Sequence, residues 1–156
     1  MQRTIVGFHR DEEGHWVADL DCGHGQHMRH NPPFFERPWV VEKETRDARI
    51  GESLVCVKCD QFIWPEDLVY FRKTTEFERE TIPAGLLKDH ATKAGVWGRI
   101  VVLEGTLIYR PVMPGGEERP VTLTPANPGI VVPEMKHAVE PDGEVRFFVE
   151  FYSLLS

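Results

Sequence analysis

Trp97-Gly-Arg-Ile-Val-Val-Leu-Glu-Gly-Thr-Leu-Ile-Tyr109 reads as two apolar strand segments on either side of Leu103-Glu-Gly105. Its β-branched and aromatic residues suit a pleated backbone, and Gly105 can take the positive φ of a tight turn, so the stretch predicts a hairpin. Outward from it, short apolar runs recur between Gly and Pro: Leu68–Lys73, Arg119–Leu123, Gly129–Val132, His137–Val139 and Val145–Tyr152. Pro111-Val-Met-Pro-Gly-Gly116 reads as a second hairpin loop, and Pro83 and Gly85 oppose a helical turn over Thr81–Lys88. Short strands with this punctuation predict an all-β sandwich or barrel. On the last run, the period of two puts Arg146, Phe148, Glu150 and Tyr152 on one face and Val145, Phe147, Val149 and Phe151 on the other.

The N-terminal part has a different chemistry. All three cysteines lie there: Cys22 in Cys22-Gly-His-Gly-Gln-His-Met-Arg-His30, and Cys56 and Cys59 in a Cys-x2-Cys pair. Two Cys/His knuckles are what a tetrahedral structural zinc requires, and the cysteines supply three of its ligands. For the fourth, His24, followed by Gly25 as in a tight knuckle, is preferred to His27, which would close a longer Cys-x4-His turn. Ahead of the first knuckle, Thr4–His9 and His15–Leu20 flank Asp11-Glu-Glu-Gly14 as a hairpin. Asn31-Pro-Pro33 stops regular structure, and Arg37–Glu42 reads as a third short strand. A module of about 60 residues with so few large apolar side chains needs a cross-link such as a metal. The chain is therefore read as mainly β, with a small zinc-ribbon-like domain over residues 1–62 and a second domain over residues 68–156.

Composition narrows the partners. The 156 residues carry a net charge of −7, with 41% hydrophobic and 28% charged residues. A chain of that sign is a poor general binder of nucleic acid, and Arg29, Arg37, Lys43, Arg46 and Arg49 are interleaved with Glu36, Glu42, Glu44 and Asp47. No apolar run approaches the roughly 18 residues of a membrane span, and the first residues lack the apolar core of a secretory signal. With cysteines reserved for metal, the expectation is a cytoplasmic protein that binds neither membrane nor nucleic acid.

Two resemblances follow. Gly14–Ala18, Cys22–Pro33, Arg37–Val40 and Cys56–Asp60 together resemble a small bacterial zinc-binding family of unknown function. In the other half, Thr81–Gly85, His90, Thr92–Arg99, Leu103–Gly105, Val132-Pro-Glu134, His137 and Val149–Tyr152 resemble the cupin-like domain of tellurite-resistance TehB-type and YeaR-type proteins. That resemblance implies a cupin-like (double-stranded β-helix) barrel, and a homodimer as cupins often form. The TehB methyltransferase domain is not in this sequence, so methyl transfer is not implied. The place of a cupin's first-motif glutamate falls at Gly98, and no His-x-His precedes it. What is left for a divalent ion, zinc or iron, is His90, His137 and Glu150, with Arg99 beside them for an anionic ligand. Three roles are consistent with this: binding a small molecule or oxyanion in a tellurite or oxidant response, an iron-dependent oxygenase, or docking a partner through Phe34, Phe35 and Trp39.

Overall fold

The computed structural model of the chain describes residues 1–28 and 37–154. It is mainly β and divides into two compact units, Met1–Pro65 and Glu66–Ser156. His30, Phe34, Phe35 and the Asn31–Pro33 stop lie outside the described residues.

In the first unit, β1 (Gln2–Arg10) and β2 (Trp16–Leu20) form the expected hairpin, with Gly14 at φ +83° in the turn. The Asp11 carboxylate accepts the Glu13 and His15 amides and so closes that turn. β3 (Gly25–His27) pairs with β2, and β4 (Ser53–Val55) with β1, giving the antiparallel order β3-β2-β1-β4. Alternation along β1 turns Arg3 and Ile5 to the buried side, each 2% exposed. The strand expected at Arg37–Glu42 does not form. Pro38 lacks the amide a ladder needs, and Pro38–Val40 is instead a 3-10 turn leading to α1 (Lys43–Asp47). Arg46 of α1 anchors this segment, its guanidinium 3.5 Å over the Trp16 ring and bonded to the Val40 carbonyl at 2.9 Å. A short helix, α2 (Val57–Asp60), follows β4.

The second unit contains β5 (Leu68–Lys73), β6 (Phe77–Glu78), β7 (Trp97–Pro111), β8 (Val121–Leu123), β9 (Gly129–Val131) and β10 (His137–Leu154). The hairpin predicted at Leu103-Glu-Gly105 is absent. β7 runs through it as one strand of 15 residues, and the two runs at the C-terminus likewise merge into β10, of 18 residues. Gly105, at φ +81°, bends the strand rather than reversing it; a Cβ there would lie 2.0 Å from the Glu144 carbonyl oxygen. Gly105→Ala is accordingly expected to destabilise this unit by about 2 kcal/mol, read as a lowered urea midpoint. An unchanged midpoint would mean that the bend relaxes freely.

β7 and β10 pair antiparallel from Trp97 opposite Tyr152 to Pro111 opposite His137. The sheet path is β5-β10-β7-β8, with β6 also on β10 and β9 also on β7. Among the described residues this sheet is not closed, contrary to the expected barrel. β5 bonds the Glu150–Leu154 end of the long ribbon while β8 bonds Leu107–Tyr109, so the two outer strands sit at different ends and do not meet. Ile100, Leu107, Val131, Phe147 and Val149 form the centre of its core. Thr81–Lys88 does hold one turn, a 3-10 segment at Ala84–Leu87 begun by Pro83. Among the described residues no helix is long and apolar enough to cross a membrane.

Candidate functional site

The first site is assembled by two turns. Gly23, at φ +98°, lets the chain reverse after β2, and the Leu20 amide bonds the His24 carbonyl at 3.0 Å, which brings Cys22 and His24 to one side. The second turn is α2, which carries Cys59 one turn beyond Cys56. It ends with Phe62 in the left-handed region at φ +57°, the Phe62 amide bonding Cys59 O at 3.0 Å and the Ile63 amide bonding Lys58 O at 3.0 Å. That is a Schellman cap with a phenylalanine where glycine is usual, at a cost of about 1 kcal/mol.

Cys22, His24, Cys56 and Cys59 are all buried, and their ligand atoms lie within 4.8 Å of one another. The His24 Nδ1 sits 3.5, 3.3 and 3.5 Å from the sulfurs of Cys22, Cys56 and Cys59, and the Cys22 and Cys56 sulfurs are 3.9 Å apart. A zinc tetrahedron with Zn–S about 2.3 Å and Zn–N about 2.0–2.1 Å has edges of about 3.8 Å between sulfurs and about 3.6 Å between sulfur and nitrogen. The group fits that figure. The tautomer fits as well: the Ile63 carbonyl accepts from His24 Nε2 at 2.7 Å, so Nε2 carries hydrogen and Nδ1 has its lone pair free for an ion between the three sulfurs.

The same crowding appears in the acid–base balance. Burial opposes charge on His24, but bonds to Cys56 and Cys59 outweigh it and push the imidazole up to about 9. Bonds shared with Cys56 and Cys59 push the Cys22 thiol up, while bonds from Cys22 and Cys59 hold Cys56 down. Without an ion, the charge that the sulfurs attract is a proton on His24.

Arg3 is the residue that sequence reasoning missed. Its Nε donates to the Cys59 sulfur at 3.3 Å from a buried position. Three thiolates around a divalent ion would leave one negative charge, which this guanidinium is placed to neutralise. Its signal was there, since Arg3 shares its strand face with Ile5. His27, the alternative fourth ligand, stands apart: it is exposed on β3 and bonds Asp11 at 3.2 Å.

The second unit contains a cavity of about 290 Å³, lined among others by Ile100, Val131, Val139, Phe147, Val149, Phe151, His90 and His137. His90 is held by paired backbone bonds to His137, each 2.8 Å, with the two rings perpendicular and 5.3 Å apart. His137 is 4% exposed, and burial draws its imidazole down to about 4. The expected third metal ligand is not beside them. β10 turns Val145, Phe147 and Val149 into the core, so Glu150 falls on the opposite face, where it accepts from the Tyr152 hydroxyl at 3.4 Å. Arg99 is on that outer face too, opposite Glu150 in register and 5.6 Å from the Tyr152 ring centre. Gly98 leaves no room for a ligand in its place, since a Cβ there would already lie 3.0 Å from the Val131 Cβ. Among the described residues, the cysteine centre is the one group of three or more His, Cys, Asp or Glu with metal-binding spacing.

These features sit within two known sequence families. Residues 6–63 match a family described as a protein of unknown function (DUF3565). Residues 72–149, half of the chain, match the TehB-like domain. The chain belongs to the TehB-like family. Among solved structures, the TehB-like chain is similar to TehB from Haemophilus influenzae, with 24% identity and a TM-score of 0.52 over 56% of this chain. It spans only 32% of that TehB chain. It is also similar to a protein from E. coli strain K12, with 21% identity and a TM-score of 0.53, covering 60% of this chain and 97% of the other. Likenesses at this identity carry the fold alone. None of the curated proteins matches the chain.

Proposed function

We propose that the chain is a zinc-stapled small-molecule-binding protein: a structural zinc centre at Cys22, His24, Cys56 and Cys59 holds the first unit, and the TehB-like second unit binds its ligand in the apolar cavity. The observation that carries the first half is the match of four buried donor atoms to a zinc tetrahedron with no position left open, the mark of a structural rather than a catalytic ion. The second half is supported by the cavity, mostly apolar with a few polar groups, as ligand pockets are. The TehB-like match supports reading this binding as part of a tellurite or oxidant response. An oxygenase is the weaker reading, because it requires an open metal position, and Glu150 on the outer face leaves two histidines without a third ligand. The protein is read as cytoplasmic.

Metal content measured by mass spectrometry, on protein purified without chelator or nickel resin, tests this. One zinc per chain is expected in the wild type and unchanged in His137→Ala. Two ions, one lost in His137→Ala, would restore a metal to the cavity and with it the oxygenase reading.

A further inference from the structure

The cavity also constrains what it can hold. Its size of about 290 Å³ is roughly twice the ~150 Å³ cavity known to hold one benzene ring, so the occupant has the bulk of a fused pair of small rings. Its walls are side chains such as Ile100, Val131, Phe147 and Val149. Polar atoms around it are largely engaged within the fold. The Thr92 hydroxyl donates to the Val96 carbonyl at 2.7 Å, and the Thr74 hydroxyl donates to the Thr75 carbonyl at 2.8 Å while accepting the Val149 amide at 3.0 Å. Arg72 reaches the rim from the exposed strand β5, with its guanidinium 5.2 Å from the Phe151 ring centre.

The imidazoles of His90 and His137 stand apart from these, and His137 is the buried one of the two. A carbonyl only accepts, so the 3.2 Å contact between its Nδ1 and the Met135 oxygen places hydrogen on Nδ1. Nε2 is then a lone-pair acceptor on a ring that lines the cavity. Burial keeps that ring neutral at neutral pH. An ionised oxyanion finds no desolvated cation here, and stripping its water without a partner is expensive.

We infer that the second unit takes an uncharged, apolar, ring-sized molecule bearing one N–H or O–H donor, which bonds Nε2 of His137. This rests on the ligand-binding reading given above and replaces the inorganic oxyanion as the cavity's occupant.

Indole, 1-methylindole, benzoate and tellurite, titrated by calorimetry into the zinc-loaded full chain, separate the alternatives. Indole is expected to bind and 1-methylindole to bind at least about tenfold more weakly, because methylation removes the donor and leaves Nε2 buried without a partner. Leu86→Trp, which fills the cavity from a partly buried 3-10 turn, is expected to abolish indole binding. Indole-induced shifts of the His137 and Val149 amides in the wild type locate the site without relying on that variant. Equal affinities for indole and 1-methylindole would overturn the donor requirement. Tighter binding of benzoate or tellurite than of indole would overturn the uncharged class while leaving a ligand-binding domain in place. Failure of all four probes to bind would remove both this inference and the reading it rests on.

Discussion

Cys56→Ser or Cys59→Ser is expected to strip the first unit of its zinc and of its fold together. Apparent binding energies of structural zinc run to about 10–16 kcal/mol, and in small modules that energy is the folding energy. Ile5, Val17, Leu20, Met28 and Val40 are most of the large apolar side chains buried in this unit, too few to replace the metal. His24→Ala should act in the same direction, because Nδ1 is the one nitrogen facing the three sulfurs. His27→Ala should leave zinc content and folding unchanged, since that ring is exposed. Zinc analysis beside limited proteolysis of residues 1–65 reads this out, while the core around Phe147 serves as the internal reference. Zinc lost from His27→Ala and retained in His24→Ala would reverse the ligand assignment.

Acid is expected to weaken the second unit through His137. The folded imidazole sits at about 4, against an ordinary value of 6.5. Between those values the unfolded chain binds a proton that the folded chain refuses, so stability rises with pH across the window. It is fully present above about pH 6.5 and lost as pH falls toward 4, a difference of about 3 kcal/mol. His90 and Tyr109, whose rings lie 5.3 and 5.7 Å from that of His137, and Arg72 at the cavity rim are titratable groups around it. The histidine next to it adds to the effect, since a second positive charge beside His137 disfavours the first. Urea midpoints of β7 amides followed by NMR between pH 7 and 4 should show the loss, and His137→Gln should flatten it. A profile as steep in His137→Gln as in the wild type would assign the acid sensitivity to the carboxylates instead.

Some of this was legible before any coordinates. The Cys-x2-Cys pair and the Cys22 knuckle announce their chemistry by spacing, because few arrangements other than metal binding use such a set. Gly25 behind His24 pointed to that histidine over His27, and the structure groups His24 with the cysteines; the deciding features, the reversal at Gly23 and the position of the Ile63 carbonyl, are set by the folded backbone. On the last strand, alternation separated Glu150 from Phe147 and Val149 correctly but did not say which face was inward. Burial of the apolar set decides it, and the proposed carboxylate ligand goes with the other face. Gly105 misled because the same positive φ serves a hairpin turn and a bend. Only pairing with β10 along its whole length distinguishes the two. Arg3 was passed over because a charged residue near the start of a strand reads as solvent-facing unless its buried partner is known.

The walls around the cavity differ in how they are held. β7 and β10 are tied by a long ladder, whereas the segment from Pro83 to Thr92 is fixed mainly by the two His90–His137 backbone bonds and by the Glu134 amide on the Thr92 carbonyl at 3.1 Å. Local opening follows the weaker wall, because a few loop bonds break at far lower cost than a sheet. Opening of the cavity wall is therefore expected first at this short loop and not in the sheet, with the two His90–His137 bonds as its tie.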